Sequence, residues 1–155
     1  MNILFVCMGN ICRSPLLEGW ARQVLAQARH PAVAGLDSAG TGDWHVGDAP
    51  DPRAIAVAAR HGVDISAQRA RVVVPEDFQR FDLILCADRR NLTALRTLGG
   101  QAASGRIALA LDWSGVAGGG DVPDPYTGTA ADFEHVNMLA REVAHGLLRR
   151  LPPQA

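Results

Sequence analysis

The chain has no lysine: its fifteen basic residues are all arginine, a bias we read as codon usage and not as function. Charge of one sign is not in excess either. A formal net charge of -1 leaves no electrostatic footprint for a nucleic acid or an anionic membrane surface, so neither is expected as a partner. Cysteine is sparse and odd in number, at 3, which excludes the paired framework of a small secreted domain and points to a reducing compartment. The cysteines show no zinc-ligand spacing. No apolar run reaches the length of a membrane span, and the opening stretch lacks the charged start and cleavage site of a signal peptide. A cytoplasmic protein is therefore expected. Repeats and low-complexity tracts are also missing, and 155 residues suit one domain with a substantial core.

What is present is organised around Val6-Cys7-Met8-Gly9-Asn10-Ile11-Cys12-Arg13-Ser14-Pro15. The preceding run, Asn2-Ile3-Leu4-Phe5-Val6, reads as a buried central strand. Pro15 suits a first helical position, because its missing N–H would have no partner there. Behind it Leu17, Ala21, Val24 and Ala28 recur at helical spacing. A strand, a loop and a helix N-terminus in that order form an anion-binding turn, since the unpaired N–H groups and the positive dipole end face the loop.

Such a field favours the thiolate of Cys7, the nucleophilic form. Arg13 brings a permanently charged fork that fits two phosphate oxygens at once. Gly9 and Asn10 let the backbone turn its N–H groups inward, and Ser14 can offer a hydroxyl to the Cys7 sulfur. Cys-x5-Arg alone is a weak pattern; the strand, the Gly-Asn pair, the Ser-Pro exit and the amphipathic helix make it specific.

Further along, Ala32 to Ala39 reads as a second strand ending in a glycine-rich loop that carries Trp44. Asp51 and Pro52 open a helix as N-cap and first residue, followed by the alanine-rich stretch from Ala54 to His61, which Gly62 stops. Capping accounts for Asp51. A short helix is expected at Pro75 to Phe78, a third strand at Asp82 to Cys86 with Cys86 as a small core residue, a helix at Arg89 to Leu98 ended by Gly99-Gly100, and a fourth strand at Arg106 to Leu111. Thr129 and Asp132 resemble a capping box for a last helix whose stripe of Phe133, Val136, Ala140, Val143 and Leu147 faces the core. The alternation implies an α/β fold: a three-layer, doubly wound, four-stranded parallel sheet with helices on both faces and its ligand site at the carboxyl ends of the strands, where Cys7 falls. The five histidines, His45 among them, read as surface or core fillers.

The segment from Gly115 to Tyr126 is long and irregular, as functional loops often are. Pro125 holds Asp124 out of helical geometry. By itself Asp-Pro-Tyr is equally a turn signature.

Val-Cys-x-Gly-Asn-Ile-Cys-Arg-Ser-Pro at the N-terminus, with Asp-Pro-Tyr near the C-terminus, resembles the low-molecular-weight protein tyrosine phosphatase family, and the likeness extends along nearly the whole chain. The resemblance implies a phosphatase domain over residues 1–151 with a short tail at 152–155. It implies hydrolysis of phosphotyrosine monoesters in proteins, with Cys7 as nucleophile, Arg13 as phosphate clamp and Asp124 as general acid and base. Met8, Gly9, Asn10, Ile11, Cys12 and Ser14 would bind the phosphate, Trp44 and Tyr126 would wall the cleft, and Ser38 would hold Asn10. For Trp44 the residues alone leave a second reading open, a side chain covering a loose edge of the core.

Implied partners are phosphotyrosyl proteins, a cognate tyrosine kinase and inhibitory phosphate-like oxyanions, acting on a mostly monomeric enzyme with no metal and no other cofactor. Cys12 could form a disulfide with Cys7 under peroxide. The chain departs from the family pattern at Gln68, where many members carry a histidine that supports the asparagine network, and at Thr127, where a second aromatic often stands. Rival readings are a protein-arginine phosphatase of the same family, which typically carries threonine where Ile11 stands; a thioredoxin-coupled arsenate reductase, which needs a further cysteine pair where only Cys86 remains; and a module that binds phosphorylated ligands without turning them over.

Overall fold

A computed structural model describes residues 1–152. Four strands, β1 (Ile3–Cys7), β2 (Leu36–Gly40), β3 (Leu83–Cys86) and β4 (Ile107–Leu109), form one sheet in the order β2-β1-β3-β4, with every pairing parallel. The strand order reverses direction at β1 and β3, and the crevice outside their carboxyl ends is where ligands bind in sheets of this kind.

The period of a strand decides how the two faces are filled. Ile3, Phe5 and Cys7 of β1 join a core built with α1 (Arg13–Gln27), α2 (Pro52–Arg60) and α6 (Ala130–Arg150). Leu4 and Val6 point the other way, into a smaller core with Phe78, Phe81 and Leu95 from α3 (Asp77–Arg80), the turn after it and α4 (Arg89–Ala103). The expected stripe of α6 from Phe133 to Leu147 is buried in the first core. Close approach there depends on Gly146, where a Cβ would collide with the Ser114 carbonyl just after α5 (Ala110–Trp113).

Several boundaries differ from the sequence reading: the first and third strands by one residue, at Ile3–Cys7 and Leu83–Cys86, and the short helix by two, at Asp77–Arg80 and not Pro75–Phe78. The first helix begins at Arg13, so Pro15 is its third residue and not its first; the missing N–H is still harmless, because none in the opening turn has an intrahelical acceptor. The second strand starts at Leu36, since Pro31–Gly35 forms a 3-10 turn whose Ala32 N–H donates to His30 Nδ1 at 3.1 Å. The fourth strand stops at Leu109, where the chain turns into α5. Helical residues continue past Gly99 to Ala103, but across a break at Gly100, whose φ of 71° and ψ of -177° lie outside helical space. Asp51 and Pro52 do open α2, and Asp132 accepts from the Thr129 N–H at 2.7 Å at the start of α6. Of the tail expected at 152–155, residues 153–155 lie outside the described residues.

Candidate active site

Cys7 ends β1, and the chain then wraps through Met8 to Cys12 into α1. Asn10 makes the wrap possible by taking a left-handed backbone, φ 57°, which asparagine tolerates better than most residues. Three bonds fix its side chain: Nδ2 donates to Ser14 Oγ at 2.8 Å and to Ser38 Oγ at 3.0 Å, and Oδ1 accepts from the Arg71 N–H at 3.0 Å. Arg71 is itself pinned by Asp77 and Asp37. Burial opposes its charge, but those carboxylates outweigh it and raise its pKa.

The loop carbonyls turn outward. Those of Met8, Ile11 and Cys12 accept from the N–H groups of Gly42, Asp51 and Leu16. Among the described residues the N–H groups of Gly9, Asn10, Ile11 and Cys12 meet no protein acceptor, so they are left for an anion, as at other helix N-termini. The Cys7 sulfur sits 3.0 Å from Ser14 Oγ and accepts from the Ser14 N–H at 3.4 Å.

Arg13 is 3% exposed. Its Nη1 donates to Asp88 Oδ2 at 2.7 Å and to the Val122 carbonyl at 3.1 Å, and its Nη2 lies 3.8 Å from Asp124 Oδ2. Burial works against the guanidinium charge, but its charge interaction with Cys7, the hydrogen bond to Asp88 and the carboxylates of Asp88 and Asp124 outweigh it and raise its pKa.

These groups surround a cleft of about 190 Å³ lined by Cys7, Met8, Gly9, Ile11, Cys12, Arg13, Trp44, His45, Asp124 and Tyr126. Trp44, 68% exposed, does not cover the core. It stands on the rim over Gly42, where any Cβ would run into its ring. Tyr126, 48% exposed, is also on the rim. Asn10, Ser14 and Ser38 are brought together behind the loop and do not line the cleft. Burial first, then Asp51 and Cys7, push the Cys12 thiol far above its usual range, and burial pushes Cys86 up to about 12.

Gln68 is absent from the asparagine network. Its Nε2 donates to the Pro15 carbonyl at 3.1 Å while its Oε1 is buried without a partner, and the main chain of Arg71 takes up Asn10 instead.

Sequence reasoning missed His45, which lies on the cleft wall between Gly9 and Tyr126, and Asp88, the partner of Arg13. His45 had a signal, its place beside Trp44 in a glycine-bounded loop. Asp88 had one too, since only Ala87 separates it from the end of β3, at the switch point of the sheet. Among the described residues no group of His, Cys, Asp or Glu could hold a metal ion, and no helix is long and apolar enough to cross a membrane.

A sequence model described as low molecular weight phosphotyrosine protein phosphatase matches residues 2–154. The chain is 39% identical over 156 residues to the low molecular weight phosphotyrosine protein phosphatase of Sus scrofa, covering 97% of this chain and 95% of that one. It is also 39% identical over 156 residues to a low molecular weight protein-tyrosine-phosphatase of Streptomyces coelicolor, covering 99% and 94%. A crystal structure of a protein tyrosine phosphatase from Entamoeba histolytica superposes with a TM-score of 0.90 at 31% identity, covering 97% of this chain and 96% of that one.

Proposed function

Since this chain belongs to the low molecular weight phosphotyrosine protein phosphatase family, we propose that residues 1–151 act as one catalytic domain that hydrolyses phosphotyrosine in proteins by two phosphoryl transfers. The observation that carries the reading is the convergence on one cleft of a sulfur in contact with the Ser14 hydroxyl and N–H, a buried guanidinium, and a carboxylate 3.8 Å from that guanidinium.

In the first transfer the Cys7 thiolate attacks phosphorus in line as the bond to the phenolic oxygen breaks. Protonated Asp124 gives its proton to that oxygen, so neutral tyrosine leaves. In the second, Asp124, now a carboxylate, takes a proton from water; the water oxygen bonds to phosphorus, the sulfur–phosphorus bond breaks, and inorganic phosphate and thiolate are released. Throughout, Arg13 and the loop N–H groups bind the equatorial oxygens, where charge-assisted donors are strongest. That neutralisation leaves no step for a metal ion or cofactor to supply.

The serine donors behind the loop stabilise the sulfur anion both at rest and as leaving group. Trp44 and Tyr126 offer two aromatic surfaces to the substrate ring, with Thr127 in place of a third. Apolar Ile11 in the cleft suits a phenyl ring better than a guanidinium, which favours phosphotyrosine over phosphoarginine. The reading places the enzyme in the cytoplasm as a monomer, opposite a tyrosine kinase that phosphorylates the same proteins, open to inhibition by phosphate-like oxyanions and to a Cys7–Cys12 disulfide under peroxide.

Turnover of para-nitrophenyl phosphate by wild type, Cys7→Ser and Asp124→Ala, followed over pH, tests it. Cys7→Ser should abolish turnover, and Asp124→Ala should impair poor leaving groups far more than para-nitrophenolate. Full activity in Cys7→Ser would end the proposal.

A further inference from the structure

How the proton donor is held goes beyond the reading above and rests on it. The segment carrying Asp124 has no regular structure of its own, and Gly115, Gly118, Gly119 and Gly120 within it all have positive φ. Its position is set from outside. Two residues before Asp124, the Val122 N–H donates to the Ala87 carbonyl at 2.8 Å and the Val122 carbonyl accepts from Arg13 Nη1 at 3.1 Å. Two residues after it, the Tyr126 carbonyl accepts from Arg53 Nη2 at 2.9 Å. The carboxyl is thus bracketed by two carbonyls, each gripped by an arginine from the other half of the site. Its own Oδ1 accepts from the Tyr126 N–H at 3.1 Å, so moving the main chain at Tyr126 moves the carboxyl with it.

Arg53 is built for this grip. Asp51 Oδ1 accepts from its Nε at 3.0 Å and Oδ2 from its Nη2 at 2.9 Å, a bidentate pair that fixes the plane of the guanidinium. The guanidinium carbon lies 4.5 Å from the ring centre of Phe133 and 5.7 Å from that of Tyr126, both within cation–π range. Asp51 closes the circuit, because its N–H donates to the Ile11 carbonyl of the phosphate loop at 2.8 Å. One short relay of Ile11, Asp51, Arg53 and Tyr126 therefore spans from the sulfur side of the cleft to the acid side.

We infer that Arg53 is a positioning residue for the proton donor: through the main chain of Tyr126 it sets the Asp124 carboxyl against the leaving-group oxygen, with Asp51 setting Arg53. It touches no reacting atom. A displacement of about 1 Å at such a site can cost far more in rate than the lost contact costs in stability.

The test is kcat/KM for aryl phosphates ranging from good to poor leaving groups, in wild type, Arg53→Met, Arg53→Lys and Asp124→Ala. Donation by a well-placed acid flattens the dependence on phenol acidity, because the phenol departs neutral. Arg53→Met should lose about tenfold on phenyl phosphate and less than about twofold on a dinitrophenyl phosphate, tilting the dependence toward that of Asp124→Ala. Arg53→Lys keeps the charge without the fork and should fall between; it serves also if the methionine variant does not fold. Inhibition by inorganic phosphate should stay within about twofold, as the phosphate loop keeps its own bonds. An equal loss across the whole series, or an unchanged dependence in folded Arg53→Lys, overturns the inference. A wild type that turns over no aryl phosphate would sink the phosphatase reading itself, whereas an active wild type whose Arg53 variants keep its leaving-group dependence sinks only the role of Arg53.

Discussion

Asp88 Oδ2 and Arg13 Nη1, from residues 75 apart in the chain, form a 2.7 Å ion pair that ties the start of α1 to the end of β3. The same carboxyl caps α4, where Oδ1 accepts from the Asn91 N–H at 2.9 Å and the Asn91 side chain answers at the Asp88 N–H. One oxygen is held by a helix and the other holds the guanidinium. Removing one partner of such a pair strands a buried charge. Asp88→Ala should therefore lose about 3 kcal/mol of stability and bind inorganic phosphate more weakly. Asp88→Asn, which can still cap, should lose less stability. Denaturant unfolding and product inhibition measure both; a phosphate affinity untouched in a folded Asp88→Ala would contradict the role given to the pair.

The asparagine at φ 57° and the nearby glutamine give opposite expectations. Asn10→Ala removes three bonds and places an ordinary residue in left-handed space, so kcat/KM should fall at least about tenfold. Gln68→Met removes one bond to Pro15 together with a buried acceptor that has no partner. Those effects offset, and stability should change by no more than about 1 kcal/mol. A large activity loss in Gln68→Met would mean that it, and not Arg71, supports the loop.

Asp51 makes stability depend on acid pH. The hydrogen bond from Arg53 lowers its pKa below the ordinary 3.8. A lowered folded-state value gives stabilisation that is complete above the unfolded value and disappears as pH falls through the folded one. Asp51→Ala should thus cost about 1 kcal/mol at neutral pH through loss of the cap, and the gap from wild type should narrow below pH 3.8. Unfolding midpoints at several pH values check this, and a constant gap would refute it.

Peroxide should act on two cysteines in order. The Cys7 thiolate is oxidised to the sulfenic acid as peroxide is reduced to water, and the Cys12 thiol then condenses with it, releasing water and leaving a disulfide that an added dithiol reduces. Burial holds Cys12 protonated at neutral pH, so the fraction rescued by dithiol should rise as pH increases. Equal rescue in Cys12→Ser would show that the second sulfur plays no part.

Contact range explains which parts were legible in the sequence. Cys7, Arg13 and Ser14 are read easily, because a strand, a turn and a helix start bring neighbours in sequence together. Asp124 could be singled out only with the family pattern, since Asp-Pro-Tyr is equally a turn. Asp88 and Arg53 were passed over as site residues for a different reason. Each already has a complete local explanation, a cap for α4 or an exposed helix position beside Asp51, and only the packed sheet brings Arg13 and Tyr126 to them. The strand and helix boundaries failed where local choices are balanced: Pro31-Ala-Val-Ala suits a 3-10 turn as well as a strand, and a break at Gly100 can be followed by further helical residues.

The phosphorylated enzyme tests the central claim most directly. Asp124→Ala, mixed briefly with a dinitrophenyl phosphate and quenched in alkaline denaturant, should yield a peptide ending at Arg13 that carries one phosphoryl group on Cys7. An actively turning enzyme with no phosphoryl group on that peptide, or with the group on Cys12 or on His45 elsewhere in the chain, would contradict the account.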